Sequence, residues 1–415
     1  MYHWRFADAM LAQRLSSGGA VLIQGAKGTG KTETALQQAA SFVQMDIDTT
    51  VKYQMEVDPI LVLNGAVPRL IDEWQVYPEI WNYARHEVDR RKDTGQFILT
   101  GSSTALDSPR LHSGAGRISP MTMRPMSSHE RGWSTGVLSL YGLLHGEQPT
   151  CDEVSFNLDT LVEQLVVGGW PGLLSSTVHD GIRHGRDYIS IIAEVGLQSA
   201  SERRHDPLKV LRLLQSYARN IATAASMATL SMDTAGSDHS ITDETVAVYL
   251  DTLRRLFIIE DLPAWNVHIR TSQLLRKGVK RHFVDPSLAI GALGLSVDAL
   301  KKDLQYTGFL FESMVIRDLR IYAEQHDGKV YHYRDSQGLE VDAIIEFADG
   351  TWAAFEIKMG FRAQDEGALN LLKLADRIDY TKREKPALLA VITANGFAYR
   401  REDGVAVIPI GVLTA

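Results

Sequence analysis

Residues Gly25 to Thr32 read G-A-K-G-T-G-K-T, a complete phosphate-binding loop. It lies between the apolar run Ala20-Val21-Leu22-Ile23 and a stretch of helical character from Glu33 to Ala40. A strand that enters such a loop and leaves it as a helix is a βα unit, which commits this part of the chain to a parallel sheet covered by helices. Gly25, Gly28 and Gly30 allow backbone conformations that other residues resist. With Ala26, Lys27 and Thr29 they let successive N–H groups turn inward toward phosphate oxygens at the start of the helix. Lys31 then reaches the β- and γ-phosphates, and Thr32 offers its hydroxyl to Mg²⁺. The ligands implied are ATP and Mg²⁺; a glycine-rich packing turn is the bland alternative, disfavoured by the full spacing of the motif.

A second element fits the first. In Arg69-Leu70-Ile71-Asp72-Glu73 an apolar run closes on two acids, so that a strand end delivers Asp72 to the Mg²⁺ shell and Glu73 to the attacking water. A third strand, Gln96 to Thr100, runs into Gly101 and Ser102, where Ser102 is placed to sense the γ-phosphate. The segment Trp74 to Arg91 reads as helical. From Leu106 to His129 the arginines Arg110, Arg117 and Arg124 face a single acid, Asp107; one of them can serve the γ-phosphate, although solvation or pairing with carboxylates is the commoner fate of such arginines.

Composition limits the setting. With 415 residues the chain has room for two or three domains, read as 1–130, 131–290 and 291–415. No apolar run is long enough to span a bilayer and no secretory leader is evident, which points to a cytoplasmic protein. The one cysteine, Cys151, excludes an intrachain disulfide and a multi-cysteine zinc site, and no histidine pair has the spacing of a zinc helix. A formal charge of −8 argues against a nonspecific polyanion binder, so any nucleic-acid surface must be local.

The middle region is mostly helical by pattern. Leu161 to Val167 reads as a buried helix closed by the Gly168-to-Gly172 turn. Ser240 to Leu250 reads as a capped helix, with Ser240 as N-cap and Asp243 as the capping-box acid; an extended segment opens at Ile258-Ile259, and the whole has the character of a winged helix. From Leu262 to Val284 there is no acid, whereas Arg270, Arg276, Lys277, Lys280 and Arg281 are all present. Such a stretch is either a local DNA-binding surface or a basic face for protein packing, and Glu244 and Asp251 on the preceding helix weigh against the first.

The third region reads as three strands, Val330–Arg334, Glu340–Glu346 and Trp352–Lys358, joined by turns at Ser336-Gln337-Gly338 and Asp349-Gly350. Strand alternation puts Glu356 and Lys358 on one face. Asp342 and Glu356 form a pair of carboxylates able to hold a divalent metal, Lys358 can orient or deprotonate water beside them, and Glu312 on an upstream helix is a further ligand. A helix (Gln364 to Arg377) and two strands (Leu388–Thr393, Val405–Ile410) follow. This order with D…E-x-K resembles the restriction-endonuclease-like superfamily, although E-x-K at a strand end is more often a solvated charge pair and the layout does not by itself imply cleavage.

Taken together, the start of the phosphate loop, L-I-D-E-W-Q, G-Q-F-I-L-T-G-S-S, G-F-L-F-E-S at Gly308 to Ser313, L-E-V-D-A-I-I and F-E-I-K resemble the prokaryotic AAA-type ATP-binding proteins that carry a C-terminal domain of unknown function, DUF4143. The resemblance covers nearly the whole chain. It implies an α/β protein: an N-terminal P-loop three-layer domain of the ASCE class, a winged-helix-like connector and a restriction-endonuclease-like C-terminal domain. It also implies ATP binding at Gly25 to Thr32, with Asp72 and Glu73 in the Walker B role. Gly28-Thr29 stands where relatives often have bulkier residues, a change compatible with phosphate contact. Two functions stay open: an ATPase acting on DNA, with Asp342, Glu356 and Lys358 as a metal-dependent phosphodiesterase site, or a nucleotide-controlled switch or partner-binding protein, slow in hydrolysis, whose catalytically silent C-terminal domain only binds nucleic acid or protein, with a homo-oligomer or a protein partner as the possible assembly.

Overall fold

Alternate residues of β1 (Ala20–Gln24) enter two different cores, which makes the sheet the middle of three layers. Ala20 and Leu22 pack with Phe97, Leu99, Trp74 and Trp81 on one side. Val21 and Ile23 pack on the other with Met10, Leu11 and Leu15 of a helix α1 (Phe6–Ser17). In the computed structural model, which describes residues 2–102, 114–154, 157–196, 206–235, 241–266 and 278–415, the chain divides into two units. The first is Met1–Pro125 with Thr252–Ile258, and the second is Met126–Asp251 with Ile259–Ala415. Apart from Thr252–Ile258, residues 131–290 thus lie in the same unit as residues 291–415.

The first unit continues with α2 (Lys31–Leu36), β2 (Ser41–Gln44), α3 (Thr49–Val57), β3 (Arg69–Asp72), α4 (Ile80–Arg91), β4 (Phe97–Gly101) and β5 (Ile118–Thr122). Its five strands are all parallel in the order β2-β3-β4-β1-β5. Two sequence expectations are corrected. Helix α2 stops at Leu36 instead of reaching Ala40, because the Ala40 N–H donates to the Pro68 carbonyl at 2.8 Å and draws the chain into the sheet. The stretch from Trp74 to Arg91 is a 3₁₀ turn, Trp74–Val76, and then α4; Pro78 between them has no N–H to continue a helix.

The second unit opens with β6 (Leu138–Ser139), α5 (Leu140–Leu144) and β7 (Cys151–Val154). Its helices follow as α6 (Leu158–Val167), α7 (Val178–Ile191), α8 (Pro207–Arg219), α9 (Met227–Ala235), α10 (Asp243–Arg255), α11 (Ser287–Leu293), α12 (Val297–Lys302) and α13 (Leu304–Glu324). Helix α6 ends where expected, at Gly168, whose φ of 68° suits glycine. The cap of α10 differs from expectation: Ser240 lies outside the described residues, and the Thr242 hydroxyl accepts from the Thr245 N–H at 3.3 Å. Asp243 is therefore the first helical residue and not a capping-box acid. Beyond α10 the described residues of the extended segment form isolated bridges: Ile259 with Phe283 and Leu262 with Lys280, both antiparallel, and Ala264 with His332, parallel. Arg270, Arg276 and Lys277 lie outside the described residues.

Strands β8 (Lys329–Arg334), β9 (Glu340–Glu346) and β10 (Trp352–Lys358) form the expected antiparallel meander, followed by α14 (Gln364–Arg377), β11 (Leu388–Thr393), β12 (Gly396–Arg400), β13 (Ala406–Pro409) and β14 (Leu413–Thr414). The seven-stranded order is β7-β12-β13-β11-β10-β9-β8, with β10, β11 and β13 parallel. Strand β12, unforeseen in the sequence, pairs with both β13 and β7. Trp352, Ala354, Leu371 and Leu374 belong to the core between α14 and the sheet.

A buried charge cluster ties this unit together. Arg317 of α13 donates to Asp285 at 2.7 Å and to Asp318 at 2.7 and 2.9 Å. Asp285 also accepts from the Gly169 N–H at 2.9 Å, and Asp318 accepts from the Ser128 N–H at 3.0 Å. One guanidinium thus fixes three distant stretches of backbone. Removing a partner from a buried pair leaves an uncompensated charge, so Arg317→Met is expected to cost about 3–5 kcal/mol in a urea titration. A loss under about 1 kcal/mol would show that the two carboxylates are satisfied without it.

Candidate functional site

The phosphate loop leaves the C-terminal end of β1, and its shape depends on glycine at two points. Gly25 has φ of 154°, and a Cβ there would sit 2.1 Å from the Met123 carbonyl oxygen. Gly30, at φ 93°, turns the chain into α2 from the left-handed region. A buried arginine supports the loop from outside: Arg5 donates to the Thr29 carbonyl at 2.9 Å and to the Arg124 carbonyl at 2.8 Å. The sequence reading missed Arg5, because 24 residues separate it from the loop residue it holds.

The Lys31 ammonium is folded back onto its own loop, donating to the Gly25 carbonyl at 2.9 Å and the Ala26 carbonyl at 2.8 Å. Burial pulls its pKa down to about 8, against the opposing pull of Glu73 and Asp72. Thr32 donates to Asp72 Oδ1 at 2.9 Å, so the two residues assigned to Mg²⁺ are neighbours. A hydroxyl beside a carboxylate, with room for water and phosphate oxygens to complete the shell, is a donor set that fits Mg²⁺. Thr100, also missed in the sequence, donates its hydroxyl to the same Asp72 oxygen and fixes that carboxylate. The period-2 spacing from Ser102 back to Thr100 along the strand end was the available signal.

Glu73 sits at the end of β3 in the left-handed region, with φ of 53°. A non-glycine residue held there is strained, and such strain concentrates at functional positions. Its carboxylate accepts from Gln75 Nε2 and from the Ser102 hydroxyl at 3.4 Å. Ser102 therefore lies against the proposed water-activating acid. Of the three arginines of the downstream segment, Arg110 lies outside the described residues. Arg117 pairs with Asp89 at 2.9 Å, as such arginines commonly do, and Arg124 is buried.

In the second unit the D…E-x-K residues converge. Phe355 pairs with Ala343 across β10 and β9, so the next positions outward are Glu356 and Asp342. Lys358 Nζ lies 2.8 Å from Glu356 Oε2, and Asp342 Oδ2 accepts from the Ile357 N–H at 2.9 Å. A second lysine enters the cluster: Lys280 Nζ donates to Glu312 Oε1 at 2.8 Å and to Asp342 Oδ1 at 3.0 Å. Burial, reinforced by the Asp342 charge, pushes the Glu356 carboxyl up to about 8, and burial pushes Glu312 up to about 7. Burial alone would raise Asp342 too, but Lys280 and Lys358 outweigh it and hold it low.

This corrects the basic-surface reading at two positions. Lys280 is buried against carboxylates, and Arg281 is buried against Asp261 at 2.9 Å and the Ala225 carbonyl at 3.1 Å. A charge count along the chain sees a basic segment; the fold supplies the acids from elsewhere.

The AAA domain family matches residues 17–131, and a domain of unknown function, DUF4143, matches residues 307–413. The chain is an AAA-type P-loop protein with a C-terminal DUF4143 domain. Between the two, a second domain of unknown function, DUF8612, matches residues 158–299. This AAA-type chain matches no curated protein. Among solved structures it is similar to a Walker-type ATPase of Pyrococcus abyssi, at 12% identity over 69% of this chain and 94% of that one, with a TM-score of 0.42. It is also similar to the replication initiator DnaA bound to AMPPCP and single-stranded DNA, at 13% identity over 60% and 86% of the two chains, with a TM-score of 0.29. No helix among its described residues is long and apolar enough to cross a membrane.

The position of Lys31 yields a pH dependence. Phosphate binding needs the ammonium and raises its pKa, so affinity is full below about 8 and falls as pH rises through the free-state value. The Kd for a nonhydrolysable ATP analogue is expected to rise roughly tenfold per pH unit above that point. Titrations across pH 7 to 10 in wild type and in Lys31→Arg, whose cation does not titrate there, check it. A flat wild-type profile would place the lysine pKa well above this range.

Proposed function

We propose that the first unit binds and hydrolyses Mg-ATP. The observation that carries this reading is the convergence of Lys31, Thr32, Asp72 and Glu73 at adjacent strand ends, with Thr32 bonded to Asp72 at 2.9 Å. Loop N–H groups from Gly25 to Thr32 cradle the phosphates. Lys31 leaves the Gly25 and Ala26 carbonyls for the β- and γ-oxygens. Thr32 and Asp72 would hold Mg²⁺, which would supply positive charge to those oxygens. Glu73 orients the attacking water and takes its proton, and Ser102 steadies the Glu73 carboxylate.

A slower, switch-like use of the same site is favoured by one feature: Glu73 is bonded by Gln75 as well as by Ser102, and activation of water requires the Gln75 contact to loosen. Steady-state ATPase assays separate the roles. Glu73→Gln is expected to lose about 10²–10⁴ in kcat with nucleotide affinity retained. Lys31→Ala is expected to lose affinity by about 10–150-fold. Gln75→Ala is expected to turn over several-fold faster. Full activity in Glu73→Gln would remove the base assignment, and slower turnover in Gln75→Ala would make Gln75 a helper and not a restraint.

In this reading the second unit engages nucleic acid or a protein partner, with Asp342, Glu356 and Lys358 as its candidate phosphodiesterase trio. Incubation of supercoiled plasmid with Mg²⁺ or Mn²⁺, with and without ATP, is the test. The pairing of these side chains with each other and with Lys280 favours no cleavage beside intact ATP hydrolysis. Nicking by wild type that Lys358→Ala abolishes would instead make the chain an ATP-linked nuclease.

A further inference from the structure

We propose that the Lys280 ammonium is a built-in substitute for a divalent cation among Glu312, Asp342 and Glu356, closing the nuclease-like site of the second unit to metal. The inference rests on reading Asp342, Glu356 and Lys358 as a nuclease-like constellation, and it is independent of ATP hydrolysis.

Position is the first argument. Lys280 is held by its own backbone: its N–H donates to the Leu262 carbonyl at 3.0 Å, and its carbonyl accepts from the Leu262 N–H at 2.8 Å. This anchors a buried side chain whose Nζ bridges an oxygen from α13 and an oxygen from β9, at 2.8 and 3.0 Å. A divalent ion bridging the same two carboxylates would bind at about 2.0–2.6 Å from their oxygens, in the space this ammonium fills.

Valence is the second argument. Both Asp342 oxygens already accept a hydrogen bond, one from Lys280 and the other from the Ile357 N–H, and Glu356 Oε2 is paired with Lys358. Two ammonium groups supply the charge that one Mg²⁺ or Mn²⁺ would bring. Unlike a metal ion, they neither dissociate nor polarise a bound water into a nucleophile. Packing closes the arrangement further: a Cβ on Gly367 of α14 would lie 3.2 Å from the Glu356 Cβ and 3.5 Å from the Lys358 Cε, so this helix lies close over the pair.

The test uses the nucleotide-free full chain with Mn²⁺ as probe, and compares wild type, Lys280→Met and Asp342→Asn. An ion held at Thr32 and Asp72 is common to all three and cancels. Wild type is expected to bind the same amount of Mn²⁺ as Asp342→Asn and to show the same shift in melting temperature between chelator and Mn²⁺ as that variant. Lys280→Met, with its carboxylates released, is expected to bind about one further Mn²⁺ at least tenfold more tightly than wild type and to regain in Mn²⁺ the melting temperature it loses in chelator. Should the variant fold only when refolded with Mn²⁺, that rescue is the same result. A wild-type Mn²⁺ site that disappears in Asp342→Asn would overturn the proposal by showing metal beside Lys280. A Lys280→Met chain that gains no ion, in binding or in folding, would overturn it by showing that the carboxylates never formed a cation site. Neither readout involves ATP turnover, so failure here and failure of the ATPase reading are distinguishable.

Discussion

A buried cation must be neutralised, and the way each unit meets that constraint separates a site that can accept a ligand from one that is already filled. In the phosphate loop, Lys31 is buried yet bonded to the neutral carbonyls of Gly25 and Ala26, and its lowered pKa records the incomplete compensation. In the proposed ATP-binding role a phosphate would supply the missing charge, and its binding would relieve a cost built into the fold. Arg317 and Lys280 are the opposite case. Each is buried against two carboxylates, and nothing is gained by bringing in a further anion.

The strand order of the first unit makes the open site possible. With β3, β4 and β1 adjacent and parallel, their C-terminal ends present Asp72, Thr100 and the phosphate loop side by side. Thr32 and Thr100 then reach one Asp72 oxygen from two different elements. Any other order would put a strand's width, about 4.8 Å, between these partners and break the hydrogen bonds. The left-handed backbone at Glu73 belongs to the same geometry, turning the chain sharply after Asp72 so that two successive acids can serve different roles.

What was legible in the sequence was whatever lay close together along it. The loop, the strand ending in Asp72-Glu73 and each single strand of the Lys329–Lys358 meander declare themselves within fewer than ten residues, where spacing and turn chemistry suffice. Helix limits failed where a distant contact decided them, as when the Pro68 carbonyl captures Ala40, although Pro78 was a local break left unread. Lys280 failed for a deeper reason. Its partners lie 32 and 62 residues away, and no window along the chain contains lysine and both acids together. Arg5 escaped notice in the same way, since nothing near it in sequence hints at a carbonyl of the phosphate loop.

The second unit therefore shows how a layout can persist while its chemistry is decided by a residue outside the motif. The order of strands and the positions of Asp342, Glu356 and Lys358 follow the D…E-x-K layout read in the sequence, and the β9–β10 register places the two acids opposite each other. Lys280 belongs to none of these elements. It arrives on a bridge beside Leu262 and satisfies the acids before an ion can. Glu312 and Glu356, pushed up to about 7 and about 8 by burial, are further from the fully ionised state a divalent ion requires. Fold and motif place the carboxylates, but the charge balance around them sets whether they hold a metal, and here two lysines have taken that part.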